Sequence, residues 1–92
     1  MNVVVDPVVQ SFRERIGVLD ERILAAVNER VALVAELHRY KEQQGISRVD
    51  PSREQELLRQ LADLNGGPLS DAGVQELFQF VLALTRQEGA GV

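Results

Sequence analysis

Residues 6–44 read DPVVQSFRERIGVLDERILAAVNERVALVAELHRYKEQQ, with no proline after Pro7 and a single glycine, Gly17. Asp6 and Pro7 suit the N-cap and the first position of a helix. Apolar residues then recur mostly at steps of three and four, which is the spacing of one face of an amphipathic helix; they are Phe12, Ile16, Leu19, Ile23, Val27, Leu33 or Val34, and Leu37. The pattern therefore predicts one helix that ends near Gln44.

This helix is long for so short a chain. About 37 residues, each rising about 1.5 Å, would span some 55 Å, which exceeds the diameter of a globule of 10.2 kDa. An apolar pattern longer than about 25 residues is typical of a coiled coil or of a helix shared between chains. The rest of the chain is too short to cover it, so we expect a homodimer.

Turn-forming residues divide the remainder into two further helices. Asp50 and Pro51 begin the second, the Asn-Gly-Gly-Pro run at 65–68 ends it, and Ser70 caps the third. The apolar faces of these helices comprise Leu57, Leu58, Leu61 and Leu64, then Leu77, Phe78, Val81 and Leu82. We therefore expect an all-α, three-helix protomer that forms one domain over residues 1–92, with a frayed tail at 89–92.

Composition excludes several classes of protein. The chain has no cysteine, which excludes a disulfide framework, a thiolate metal site and a cysteine nucleophile. Its net charge is −4 with acids and bases interspersed, so nucleic acid is not an expected partner. Residues 1–6 lack the basic residue of a signal peptide, and no segment approaches about 18 consecutive apolar residues. We expect a cytoplasmic protein without a membrane partner.

Cations interrupt the apolar face of the first helix. Arg30 stands between Val27 and Val34, and Lys41 follows eleven residues later. Eleven residues leave a rotation of about 20° after whole turns, so both cations share one face, whereas Arg13 lies about 100° away from Arg30. Each cation could also extend from the apolar edge into water.

Polar residues of the other helices fall on buried lines as well. Arg53 comes four residues before Leu57, Glu54 adjoins it, and Thr85 continues the apolar line of the third helix. Buried cations are costly unless paired, so the set indicates either internal ion pairs or a bound anion. His38, the one histidine, has no partner at metal-ligand spacing and is expected at the surface or the rim.

As a set, these positions resemble the all-helical chorismate mutase family. The similarity is carried by FRERIGVLD at 12–20, NER at 28–30, RYK at 39–41 and VDPSRE at 49–54, and LFQ at 77–79 extends it into the third helix. The resemblance implies a homodimer intertwined around the long first helices, with two equivalent sites. It also implies conversion of chorismate to prephenate by a Claisen rearrangement, with no cofactor, metal or covalent intermediate.

The resemblance implies roles for the cations. Arg13 from the other subunit and Arg30 would each bind a substrate carboxylate, and Lys41 would donate to the ether oxygen of the breaking C–O bond. These residue types suit the chemistry, because guanidinium groups bind carboxylates through paired hydrogen bonds. A fixed ammonium stabilises the negative charge that grows on the ether oxygen.

Further roles follow from the same resemblance. Asp50 and Glu54 would address the substrate hydroxyl, Arg53 would support that end of the pocket, and Thr85 would contact a carboxylate. With Arg30 and Lys41, Glu54 completes the expected catalytic set.

One position departs from the family pattern. The family usually has Gln or Glu four residues after the Ser or Thr as a second donor to the ether oxygen, and this chain has Gly89. A change of register in the last turn could bring Gln87 or Glu88 there instead. We expect weak activity from the chain alone, improved by a partner that orders the tail.

Three alternatives stay open at this point. An isochorismate-pyruvate lyase has the same fold and a cation-lined pocket, although DPSRE at 50–54 favours the mutase. A non-catalytic helical dimer used for assembly or regulation would share the long helix. Association with another enzyme of the aromatic pathway is conceivable, because some relatives are fused to such enzymes.

Overall fold

Three helices make up most of the part of the chain that the structure describes. The computed structural model describes residues 6–90, which form α1 (Pro7–Gln44), α2 (Pro51–Leu64) and α3 (Asp71–Ala90) without a strand in that range. This confirms the predicted all-α, three-helix architecture. The expectation about a signal peptide concerns mainly residues 1–5, which lie outside the described range, as do Gly91 and Val92.

Local sequence explains both ends of α1. The Asp6 carboxylate accepts hydrogen bonds from the backbone N–H groups of Val8 and Val9 at 2.8 and 3.2 Å, and Pro7 opens the helix. At the other end Gly45 has a φ of 69°. Its N–H donates to the Glu42 carbonyl, and the N–H of the next residue, Ile46, donates to the Lys41 carbonyl. This pair of bonds is the Schellman motif, which favours glycine because a side chain is strained at positive φ.

Capping residues also begin the two shorter helices. The Asp50 carboxylate accepts from the backbone N–H of Arg53 at 3.1 Å, and the Ser70 hydroxyl accepts from that of Gly73 at 3.0 Å. Each bond satisfies a donor that a helix N-terminus otherwise leaves unpaired. The starts of both helices therefore agree with the positions predicted from Asp50-Pro51 and Ser70.

Helix α3 is the centre of the protomer. It packs against both α1 and α2, whereas α1 and α2 do not pack against each other over the described residues. The apolar core is small and consists of Ala35, Val74 and Leu82. Any relation between side chains of α1 and α2 is therefore set through α3.

The close contact of α3 with α1 involves Gly89. A Cβ atom at this position would lie 3.0 Å from Val34 Cγ1 and 3.4 Å from the backbone nitrogen of Ala35. Gly89 is buried, and α3 continues to Ala90. The expectation of a frayed tail is therefore wrong for residues 89 and 90, because packing against α1 extends the helix to its end.

The described part of the chain is elongated. Its extents are 64 × 30 × 19 Å and its radius of gyration is 18.1 Å, against about 12 Å for a compact domain of this length. The N-terminal half of α1 has no covering element among residues 6–90, and Phe12, Ile16, Leu19 and Ile23 are each more than half exposed. No helix in the described part of the chain is long and apolar enough to cross a membrane.

Candidate active site

The three helices surround a cavity of about 220 Å³ beside the C-terminal half of α1. Its walls come from all three helices and from the connection that precedes α2. The lining residues are Arg30, Val34, Leu37, His38 and Lys41 of α1, Arg48 and Asp50 of the connection, Arg53, Glu54 and Leu57 of α2, and Leu82, Thr85 and Arg86 of α3.

Six of the seven residues singled out by sequence line this cavity, namely Arg30, Lys41, Asp50, Arg53, Glu54 and Thr85. The exception is Arg13, which is exposed on α1. It precedes Arg30 by seventeen residues, a separation of about 25 Å along the helix axis. Arg13 therefore cannot reach the cavity of its own chain.

Arg30 and Thr85 connect α1 to α3 inside the cavity. The Arg30 guanidinium donates through Nη1 to the Thr85 hydroxyl, which is fully buried and itself donates to the Val81 carbonyl at 2.8 Å. Burial lowers the pKa of Arg30, and the Glu54 carboxylate opposes that shift. Arginine nevertheless stays protonated at neutral pH. Arg30 is therefore a fixed cation in a wall of the cavity that is partly shielded from water.

Lys41 supplies a second cation on the same side. It lies in the last turn of α1 and is partly buried. Its ammonium forms no ion pair with a carboxylate of residues 6–90. The amine is therefore available to an acceptor in the cavity.

The α2 side of the cavity contains two carboxylates that have different bonding partners. Asp50 caps its own helix, whereas Glu54 reaches across to α3 and forms an ion pair with Arg86. Arg53 lies at the exposed rim, with Nη1 3.9 Å from a carboxylate oxygen of Glu56. Glu54 is thus the cavity carboxylate that is not needed to cap a helix.

Sequence reasoning missed three lining residues. Arg86 directly follows Thr85 and therefore lies beside the apolar line of α3 and not on it, so the periodicity did not single it out. Arg48 lies in the connection, 3.6 Å from Glu42, where helical periodicity gives no signal. His38 was expected at the surface or rim, and that expectation is wrong, since only 6% of it is exposed.

His38 is buried among the side chains that line the cavity. Its step of four from Val34 was the available signal for an inward position. Within residues 6–90 its Nδ1 atom is buried without a hydrogen-bond partner. Burial and the nearby charges of Arg48, Lys41 and Arg86 lower the pKa of His38. The imidazole is therefore a neutral group among cations.

The last turn of α3 contributes no replacement for a side chain at Gly89. Gln87 and Glu88 are exposed, and neither lines the cavity. Helix α3 is regular through this turn, so in this structure neither residue takes the place of a side chain at position 89. The residue of this turn that does reach the cavity is Arg86.

Charge distinguishes the cavity from the rest of the molecule. Five cationic side chains and two carboxylates line it, in a chain whose net charge is −4. Guanidinium and ammonium groups at this density bind carboxylates well. The arrangement suits a small ligand with two negative charges.

Comparisons with known proteins agree with this chemistry. The family model for chorismate mutase type II matches residues 12–89. The chain is 36% identical over 84 residues to a bifunctional chorismate mutase/prephenate dehydratase from Neisseria gonorrhoeae, covering 90% of this chain and 22% of the relative. The chain thus spans about a fifth of the length of that relative.

Solved structures give the same result at the level of the fold. Form II of the chorismate mutase from Thermus thermophilus is similar with a TM-score of 0.85 and 29% identity, over 89% of this chain and 93% of that one. Form I of the same enzyme is similar with a TM-score of 0.82 and 31% identity, over 84% of this chain and 96% of that one.

Proposed function

Because this chain belongs to the chorismate mutase type II family, we propose that it converts chorismate to prephenate. The observation that carries the proposal is the cavity in which Arg30 is fixed by Thr85 and the Lys41 ammonium is left without a carboxylate partner among residues 6–90. These two groups suit a dianionic substrate: Arg30 can bind a carboxylate, and Lys41 can stabilise the negative charge that develops during the reaction.

The reaction is unimolecular, so the site has to select a conformation. One C–O bond of the ether breaks while one C–C bond forms between the ends of the same molecule. Chorismate must fold into a compact chair-like conformer first, and holding its two carboxylates favours that conformer. Arg30 is proposed to bind one carboxylate, and the second requires another cation.

Lys41 is proposed to act on the breaking bond. Negative charge grows on the ether oxygen in the transition state, and an ammonium already in place stabilises that state more than the ground state. No proton has to be removed and no covalent intermediate forms. The proposed reaction therefore needs the selected conformer and a cation fixed beside the ether oxygen.

Glu54 is proposed to bind the substrate hydroxyl. Asp50 lines the same end of the cavity, but its carboxylate already accepts the backbone N–H of Arg53. Glu54 keeps acceptor capacity beyond its contact with Arg86, since a carboxylate has about four lone-pair sites. Arg53 at the rim would support this end by its charge.

We propose that the working unit is a homodimer. The supporting observations are the uncovered apolar stripe on the N-terminal half of α1 and the elongated protomer. A second copy packed on this stripe would cover it, and in such a dimer Arg13 of the second copy would supply the cation for the other carboxylate. We place this dimer in the cytoplasm, an expectation that fractionation of cells would test.

We also propose that this chain works beside another enzyme of the aromatic pathway. The Neisseria gonorrhoeae relative is a bifunctional chorismate mutase/prephenate dehydratase, and this chain matches 22% of it. Association with such an enzyme would bring the two activities together. Co-elution with a purified prephenate-converting enzyme would support that association, and independent elution at micromolar concentrations would refute it.

The direct test of function is an assay of purified protein with chorismate. We expect chorismate to disappear with prephenate as the product. Release of pyruvate from isochorismate as the main activity would identify a lyase instead. If neither substrate were converted by the dimer, the proposal would fail.

A further inference from the structure

Two neighbouring residues of α3 each hold one polar side chain of the cavity. The Thr85 hydroxyl accepts from Arg30 of α1, and the Arg86 guanidinium donates to Glu54 of α2. Since α1 and α2 pack on α3 and not on each other over residues 6–90, α3 determines how Arg30 and Glu54 are spaced.

Glu54 shares the cavity with two arginines of the neighbouring helices, Arg86 and Arg30. It is bonded to Arg86, and its charge acts on Arg30 strongly enough to oppose the lowering of that arginine's pKa by burial. Both Arg86 and Glu54 are partly exposed, at 45% and 38% of their side chains. The pair is thus not a buried structural bridge, and its loss should not unfold the protein.

Removing Arg86 would leave Glu54 with a different nearest partner. A glutamate side chain turns freely about its bonds, and Arg30 is the cavity cation whose charge already interacts with it. A Glu54–Arg30 pair would neutralise the guanidinium that a ligand carboxylate needs. It would also consume the carboxylate that a ligand hydroxyl needs.

We propose that Arg86 is a positioning residue that holds Glu54 away from Arg30, so that Arg30 remains free for a ligand carboxylate and Glu54 for a ligand hydroxyl. This inference rests on the proposed function for the identity of the ligand. The position of Arg86 beside Thr85 makes this role possible. Arg86 is not among the residues of the family motifs that this chain shares.

The test measures the availability of Arg30 without requiring turnover. Isophthalate, a ring dicarboxylate without a hydroxyl, is titrated into the dimer by calorimetry, and circular dichroism checks that each variant is folded. Arg86→Gln should weaken binding roughly fivefold, the scale of a partly exposed ion pair. Arg59→Gln removes the same charge from the exposed face of α2, outside the cavity, and should leave binding unchanged.

A second pair of variants separates positioning from simple charge. Adding Glu54→Gln to Arg86→Gln should restore binding, because no carboxylate is then left to occupy Arg30. Adding Asp50→Asn instead removes the same charge from the cavity but keeps a capping side chain on α2, so binding should stay weak. If both additions restored binding equally, or if Arg86→Gln bound like Arg59→Gln, the positioning role would be refuted.

Chorismate turnover by the same proteins distinguishes this inference from the proposed function. Turnover without the Glu54-specific rescue refutes the role of Arg86 and leaves the proposed function intact. The rescue without turnover supports the role of Arg86 and refutes the proposed function. If the wild-type protein bound no isophthalate, Arg30 would not be available to a carboxylate and the role of Arg86 would be refuted.

Discussion

Lys41 is the single lysine of the chain, and the residue-scale account depends on it. Nine other cations are arginines, whose broad, delocalised charge suits carboxylate binding better than stabilisation of one oxygen. A compact ammonium in the cavity, with no carboxylate neighbour among residues 6–90, is suited to that second task.

Replacing Lys41 tests this assignment. Lys41→Met should lower kcat by roughly 10²–10³-fold, the usual cost of losing one donor to a developing negative charge. KM should change much less, because the carboxylates are bound elsewhere. Arg39→Met, an exposed neighbour that does not line the cavity, is the matched control in chorismate kinetics. Equal loss in both variants would contradict the role.

His38 makes stability depend on pH. The folded protein lowers its pKa below 6.5, mainly through burial and then through Arg48, Lys41 and Arg86. The unfolded chain therefore binds a proton at a higher pH than the folded chain does. The stability that this group contributes is present above about pH 6.5 and is lost as the pH falls through the folded pKa.

Denaturation in urea at a series of pH values measures this effect. The free energy of unfolding should fall as the pH is lowered from about 7 towards about 5, and His38→Gln should reduce that slope. The imidazole of the single histidine can also be followed directly by NMR. An imidazole that titrates at or above 6.5 in the folded protein would contradict the assignment.

At the scale of elements, the bounds of the helices could be predicted and the partners of their side chains could not. Asp6-Pro7, Asp50-Pro51 and Gly45 act within a few residues of themselves, so local sequence determines where α1 and α2 begin and where α1 ends. The contact of Arg86 with Glu54 joins residues 32 positions apart. Periodicity along one helix carries no information about such contacts.

Part of the site could also be predicted from the sequence. Arg30, Lys41, Arg53 and Thr85 could be picked out as polar residues on apolar lines, with Glu54 beside Arg53. The family resemblance added Asp50 and gave each of them a role. The sequence at Gly89 indicates only that a donor side chain is missing there. Its other property, the close approach of α3 to α1, depends on the distance to Val34 and Ala35 and has no sequence signature.

Gly89 provides a prediction at the scale of elements. Gly89→Gln would place the side chain that the family usually has, but its Cβ would press on Val34 and on the backbone of Ala35. We expect a lower Tm and no gain in kcat, because the Val34 side chain or α3 itself would have to shift to make room. Gly66→Gln, where a Cβ meets nothing within 4 Å, is the control. A higher kcat at unchanged Tm would contradict the packing argument.

At the scale of the whole molecule, the proposed dimer explains the length of α1. Its C-terminal half forms one wall of the cavity, while its N-terminal half carries Arg13 and an exposed apolar stripe. In the proposed dimer, the N-terminal half of one α1 completes the site of the other chain. Two equivalent sites then arise from one isologous interface.

Subunit mixing tests this central claim most directly. Arg13→Ala and Arg30→Ala proteins should each be nearly inactive with chorismate. When they are unfolded together and refolded, mixed dimers have one site with both arginines intact, so about a quarter of wild-type prephenate formation should return under random pairing. If tagged chains demonstrate that mixed dimers have formed and no activity returns, the account of a site shared between two copies is contradicted.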